Sequence, residues 1–281
     1  MLTSFCDWDL NLEEIYDKVK LKEYNDCVTY KAKWRYENVF IKVVKNSKDV
    51  DNELEILSKC IHPKICQFLG ASKNETHTSI IFEYMDNGDL YNFILKNKLS
   101  DSEKINLIMD IAIGLNYLIK RKPKQIMHRD LKPSNIMINK HKEPKISDFG
   151  ISKLLSADHI DEYINHTGET GTYLWMAPEI MKHELYNYKS DIYSFGLIIY
   201  YIWTEKIPFC EYRSSTIQLA FLKINDKLKL KDIDHKKLNE LIKNCINEDK
   251  TKRPTCDEII DQLKNIKTKF NKSMSFSKFM N

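Results

Sequence analysis

Residues 128–135 read HRDLKPSN. The octapeptide gathers an imidazole, a guanidinium, a carboxylate, an ammonium and a carboxamide around one proline, and two further motifs follow it. Asp148, in DFG (148–150), stands eighteen positions after Asp130, and Glu179, in APE (177–179), stands thirty-one positions after that. A lone DFG would be a weak signal. A fixed pattern of seven letters, here His128, Arg129, Asp130, Leu131, Lys132, Pro133 and Asn135, arises by chance at roughly one in 10⁹ positions, so the set as a whole is not coincidence.

Upstream of this motif the first third of the chain is strand-like. Its runs lie at 27–34, 37–45, 65–71 and 78–84, broken by one helix from about Lys48 to Lys59. Lys42 sits inside the second run, where an uncompensated ammonium is costly, so it needs an acidic partner or an anionic ligand. Ser47 can cap the helix, and Val50, Glu53, Leu54 and Leu57 at i, i+3, i+4 and i+7 put Glu53 on the face that packs against the sheet. A buried acid then faces a buried base. From Gly88 onward the pattern turns helical, with a capping-box pair at Ser100 and Glu103 ahead of Ile105, Ile108, Met109, Ala112 and Leu115. Between the two regions IIFEYMDNGDL (80–90) reads as a strand that runs out through a connector. A small sheet lobe joined to a larger helical lobe leaves a cleft at the junction, where ligands usually bind.

The motif set resembles the eukaryotic protein kinase family, over about residues 8–267. Asp191 in KSDIYSFG and Arg253 in KRPT match the large-lobe helix anchor and the arginine that pairs with the APE glutamate, while WDL (8–10), YKAKW (30–34) and GTYLWMAPE (171–179) look most like the tyrosine-kinase-like group, relatives of Raf and mixed-lineage kinases. The resemblance implies an α+β, bilobal fold with a kinase domain over 1–267. Its parts are an antiparallel-sheet N-lobe with one helix at about 12–84, a hinge at about 83–88, a helical C-lobe at about 89–267 and a flexible tail at 268–281. It also implies roles. Asp130 would orient the substrate hydroxyl, Lys132 would sit against the transferring phosphoryl, and Asn135 and Asp148 would ligate Mg²⁺. Lys42, paired with Glu53, would hold the α- and β-phosphates of ATP, with Leu21, Thr29, Phe40, Glu83 and Met85 around the nucleotide. Lys132 and Thr172 point to serine/threonine substrates. Tyr163, Thr167 and Thr170 lie in the segment between DFG and APE and read equally as sites where a new phosphate could pair with Arg129 or as ordinary polar loop residues; His159 and His166 there read as solvated.

Three features depart from the family pattern. Phosphate-cradling loops use glycine for close backbone approach, yet no glycine precedes Gly70. The loop aligns on KEYNDCVT (22–29), with Lys22, Tyr24 and Cys27 in the glycine positions and Asn25 and Asp26 able to form the turn. In VFIK (39–42), Phe40 replaces the usual alanine and shares a face with Lys42, so it intrudes on the adenine site, and Phe82 adds bulk just before the hinge. Lys42 and Glu53 are also only eleven residues apart.

The 281 residues carry 42% hydrophobic and 30% charged side chains, and 44 basic against 40 acidic residues give a net +4, too weak to indicate nucleic acid or membrane. Seven scattered cysteines without ligand spacing suggest an intracellular, soluble, cytoplasmic protein with reduced thiols, and no secretory leader is read at the N-terminus. The longest apolar run, FGLIIYYIW (195–203), is half a membrane span and reads as a core helix. TKFNKSMSFSKFMN (268–281) lacks helical periodicity and reads as the tail. Two functions fit. One is a serine/threonine protein kinase using ATP and Mg²⁺ on protein substrates, with a regulatory kinase or a dimer partner as further partners. The alternative is a pseudokinase, a binding module whose adenine pocket is blocked by Phe40.

Overall fold

A computed structural model describes residues 9–24, 27–122, 125–149, 153–155, 172–185, 187–225 and 227–279. Five antiparallel strands form the N-terminal sheet: β1 (Ile15–Tyr24), β2 (Cys27–Trp34), β3 (Glu37–Lys45), β4 (Phe68–Lys73) and β5 (His77–Glu83), in the order β1-β2-β3-β5-β4. Strand alternation divides their side chains. Ile15, Ala32, Val39, Ile41 and Ile81 bury one face as a small separate core. The register pairs Thr29 with Lys42, Lys42 with Ile80 and Phe40 with Phe82, which places these residues together on the opposite face.

Four of the strands and the helix α1 (Lys48–Leu57) follow the expected runs, α1 ending two residues earlier than read. Ser47 caps it, its hydroxyl accepting from the Val50 N–H at 3.2 Å, and Val50, Glu53, Leu54 and Leu57 are buried. The longest strand, β1, has no counterpart in the sequence reading. Only Ile15 in it is buried, so no apolar alternation announces it. It is an edge strand, and two register breaks and its lysines guard the open side.

The C-terminal lobe contains α2 (Leu90–Lys96), α3 (Asp101–Lys120), α4 (Pro178–Met181), α5 (Lys189–Thr204), α6 (Thr216–Ile224), α7 (Lys236–Cys245) and α8 (Cys256–Phe279). Three short strands, β6 (Gln125–Met127), β7 (Ile136–Ile138) and β8 (Pro144–Ile146), carry the polar motifs to its upper rim, and β9 (Lys153–Leu155) pairs with β6. Ser100 and Glu103 form the expected capping box of α3. The run 195–203 lies in α5, buried from Ser190 to Ile202. Gly196 lets α7 approach, since a Cβ there would stand 2.7 Å from the Cys245 Cβ. Among the described residues no helix is long and apolar enough to cross a membrane. The expectation of a non-helical tail from 268 is corrected, because α8 continues to Phe279. Its N-terminal half docks on the core through Ile259 and Leu263, and with no Gly or Pro downstream the helix propagates past the last apolar anchor.

One ion pair fastens the APE segment beneath α5. Arg253, with none of its side chain exposed, donates to Glu179 at 2.5 and 2.8 Å, and the Ser190 hydroxyl adds a third bond at 2.7 Å. Burial would raise the Glu179 carboxyl, but Arg253 and Ser190 override it and hold the group below its ordinary value of 4.5. Arg253→Met leaves Glu179 as an uncompensated buried charge and should cost about 3–5 kcal/mol, read as a lower urea midpoint. Because the native carboxyl is depressed, the pair's stabilisation is complete above the unfolded pKa and fades as pH falls through the native one. Urea midpoints taken on the acid side should therefore fall with pH in the wild type and lose this component in Arg253→Met.

Candidate active site

A cleft of about 550 Å³ opens between the sheet and the helical lobe. On its upper side the Lys42 ammonium stands 3.0 and 3.3 Å from the two Glu53 carboxylate oxygens and 3.5 Å from Asp148 Oδ1. Exposure rises along this series, with Glu53 at 4%, Lys42 at 21% and Asp148 at 50%. Burial acts to lower the Lys42 ammonium, but Asp148 and Glu53 outweigh it and hold the group above the ordinary lysine range. Burial pushes the Glu53 carboxyl up, against the pull of Lys42. The eleven-residue spacing is long enough, since a strand residue and a helix residue meet across one loop.

The lower side is built around Asp191. This buried carboxylate accepts the backbone N–H groups of His128 and Arg129, both at 2.9 Å, and burial raises its pKa. Arg129 takes φ 72°, the left-handed region that side chains rarely adopt, and Asp191 holds it there. His128 Nε2 lies 2.8 Å from the Ser147 carbonyl, which can only accept, so Nε2 carries the proton. Asp130 Oδ2 accepts from Lys132 Nζ at 2.8 Å and from Asn135 Nδ2 at 2.9 Å, while its Oδ1 is buried with no hydrogen-bond partner among the described residues. Asn135 Nδ2 also donates to the Asp130 carbonyl at 2.8 Å. The Ser147 N–H and hydroxyl both bond the Asn135 carbonyl, which ties the strand that precedes Asp148 to the loop that holds Asp130.

Leu21, Thr29, Phe40, Lys42, Glu53, Glu83, Met85, Asn135 and Asp148 all border this one cleft. Asp130 and Lys132 adjoin it through Asn135. Phe40 is only partly buried and stands 6.4 Å from the Phe82 ring, forming a wall of the cleft. The Glu83 carboxylate is taken up by Lys145 Nζ, at 2.7 Å to each oxygen, and by the Gln67 N–H at 2.7 Å, so what it offers the cleft is backbone. Lys22, Tyr24 and Cys27 border the cleft, whereas Asn25 and Asp26 lie outside the described residues, as do His159, Tyr163, His166, Thr167 and Thr170. Thr172 opens a short 3-10 turn, and its side chain is not among the described ones.

Sequence reading passed over Tyr84, Cys66 and Met137, which also border the cleft. Met137 was within reach, because in β7 it alternates with the core residues Ile136 and Ile138. Cys66 and Lys145 carry no local signal; only the fold brings them to the hinge. Asp191→Asn should turn one of its two backbone acceptors into a donor facing an N–H, cost about 1–3 kcal/mol, and appear as a lower melting temperature.

Comparison with known proteins places these motifs in context. Residues 22–263 match the protein kinase domain. The chain is 32% identical to the serine/threonine-protein kinase STY46 of Arabidopsis thaliana over 92% of its own length and 45% of that protein. It is 32% identical to the serine/threonine-protein kinase VIK of the same plant, over 93% of the chain and 63% of the relative. It is also 30% identical to the serine/threonine/tyrosine-protein kinase HT1, again from Arabidopsis thaliana, over 90% and 67%. The chain thus spans less than two thirds of STY46 and VIK.

Proposed function

This chain belongs to the protein kinase family, of the tyrosine-kinase-like type, and we propose that it transfers the γ-phosphoryl of ATP to serine and threonine hydroxyls of protein substrates. The observation that carries this reading is the open cleft of about 550 Å³ running from Phe40 and Phe82 to Lys42, Glu53 and Asp148. Small-molecule sites typically enclose about 300–1,000 Å³. A cleft of that size, with Phe40 as one of its walls, supports an open base end over the alternative of a binding module with a blocked pocket.

In this reading the base lies among Leu21, Phe40 and Met85 and the phosphates against Lys42, which Glu53 orients. Asn135 and Asp148 fit a hard divalent cation. Both Asn135 N–H groups go to Asp130, leaving its carbonyl oxygen for the cleft, and Asp148 adds a carboxylate, an oxygen pair that suits Mg²⁺ alongside phosphate and water. When bound, the ion supplies neutralisation of the triphosphate charge. Asp130 orients the incoming hydroxyl and takes its proton at Oδ1, the oxygen left over once Lys132 and Asn135 hold Oδ2. Lys132 stands against the transferring phosphoryl. Its place beside Asp130, together with Thr172, supports serine and threonine as acceptors. A regulatory kinase acting on Tyr163, Thr167 or Thr170 belongs to the same reading, with Arg129 as the cation a new phosphate would meet. The six described cysteines are free thiols, in keeping with a reducing, cytoplasmic location.

Two experiments test this. Mg·ATP should raise the melting temperature of the wild-type protein, since a ligand at a hundred times its Kd stabilises the native state by about 2.7 kcal/mol. Phe40→Ala should then change Mg·ATP affinity by less than about tenfold, the equivalent of 1.4 kcal/mol. A silent wild type beside a responsive Phe40→Ala protein would instead identify the ring as a plug. Asp130→Asn should abolish transfer to peptide while leaving the Mg·ATP thermal shift nearly unchanged, and retained transfer would exclude Asp130 as the hydroxyl-orienting group.

A further inference from the structure

Lys223 is a buried cation that the phosphoryl-transfer reading leaves unused. It stands near the end of α6 with 5% of its surface exposed, and its Nζ lies 2.6 Å from the Leu174 carbonyl, 3.1 Å from that of Met176 and 3.4 Å from that of Tyr173. The rings of Tyr193 and Phe209, with centroids 5.2 and 5.4 Å from Nζ, flank it. No carboxylate among the described residues pairs with it at ion-pair distance. An ammonium has three N–H donors, and here three carbonyls of one short turn accept them.

The turn occupies a decisive place. It joins the segment that carries Tyr163, Thr167 and Thr170 to α4, whose Glu179 is fastened by Arg253. The Trp175 ring packs edge-on against Tyr201 of α5, at 5.9 Å, and α5 is also the helix whose Asp191 holds His128 and Arg129. The turn and the loop bearing Asp130 thus rest on one rigid floor. Under the kinase reading an acceptor peptide brings its hydroxyl to Asp130, and the Tyr173–Met176 turn, held on the same helix as that loop, is placed to meet it.

We propose that Lys223 is a positioning residue for the phosphoacceptor, its ammonium fixing the Tyr173–Met176 turn in the shape that seats a hydroxyl-bearing peptide; this rests on the kinase reading above. Loss of the proton leaves an amine with two donors, so one of the three carbonyls is released and the turn loosens. The titratable and charged groups around Lys223 are Tyr173 in the turn, Glu179 on α4, Tyr193 on α5, and Arg253, whose guanidinium lies 5.0 Å from the Tyr193 ring. Glu179 and Arg253 neutralise each other. Burial lowers Lys223 to about 7, with Glu179 acting in the opposite direction, so the three-bond state is full on the acid side of neutrality and fades as pH rises.

The test measures peptide phosphorylation by the full chain and by Lys223→Met from pH 6 to 8.5. In the wild type the peptide KM should rise through neutrality while the ATP KM stays level. Lys223→Met should show a peptide KM about tenfold higher at pH 6, the scale of a lost charged hydrogen bond, with no rise through neutrality and an unchanged ATP KM. A wild-type peptide KM and pH profile in the mutant, or an equal loss in ATP KM, overturns the assignment. Hydrogen exchange of wild-type amides 173–176, corrected for the intrinsic pH dependence, supplies a readout independent of activity and of whether the mutant folds. Protection should fall between pH 6 and 8.5, and constant protection overturns the proposal. A wild type with no transfer activity but with this pH-dependent protection would refute the kinase reading while leaving the role of Lys223 in holding the turn intact.

Discussion

A carboxylate buried in the first turn of a helix, with no cation bonded to it among the described residues, must find its hydrogen bonds in the backbone. Asp191 does so on the N–H groups of His128 and Arg129, and the loop that carries Asp130 takes its shape from that demand. The cost is a left-handed Arg129, and the return is a fixed origin for every side chain that follows it. Lys132 and Asn135 converge on Asp130 Oδ2 because the chain leaves this anchor in one direction only. The same helix carries Tyr201 against Trp175 and Tyr193 against both Lys223 and Arg253, so one buried element sets the heights of the loop and of the APE segment together.

The upper lobe answers with opposite electrostatics. Lys42 brings a positive charge to the roof of the cleft, and two carboxylates, one almost fully buried and one half exposed, share it. An anion entering from solvent meets Lys42 beside Asp148, while Glu53 stays behind as the permanent counter-charge. Such an arrangement keeps the ammonium ionised with the cleft empty and leaves one side of it available.

How far this was legible in the sequence depended on the kind of signal. Motif spacing revealed the 128–135 loop, Asp148 and Glu179, because dense charged patterns are improbable by chance, and the family resemblance added Asp191. Helical periodicity put Glu53 opposite Lys42, and alternation put Phe40 beside it. Alternation gave the direction of the Phe40 ring but not the room around it, which depends on how Phe82 and Phe68 tilt the ring, a property of packing alone. The exposed strand β1 was invisible because it buries one residue, and the helical end of α8 was misread because propagation from a docked segment needs no apolar stripe of its own. Lys145 and Lys223 gave no warning, since their partners are carbonyls or carboxylates far away along the chain.

The salt bridge from Lys145 to Glu83 spans the junction of the lobes. Glu83 closes β5, while Lys145 belongs to β8, the strand that runs on to Ser147 and Asp148. Ser147 in turn is bonded twice to the Asn135 carbonyl. Connected in series, these links act as a lever. A displacement of Glu83 would be passed by Lys145 to β8, and through Ser147 to Asp148 and Asn135 together. The mouth of the cleft and the Asn135 and Asp148 side of its floor are therefore joined by one unbroken series of bonds.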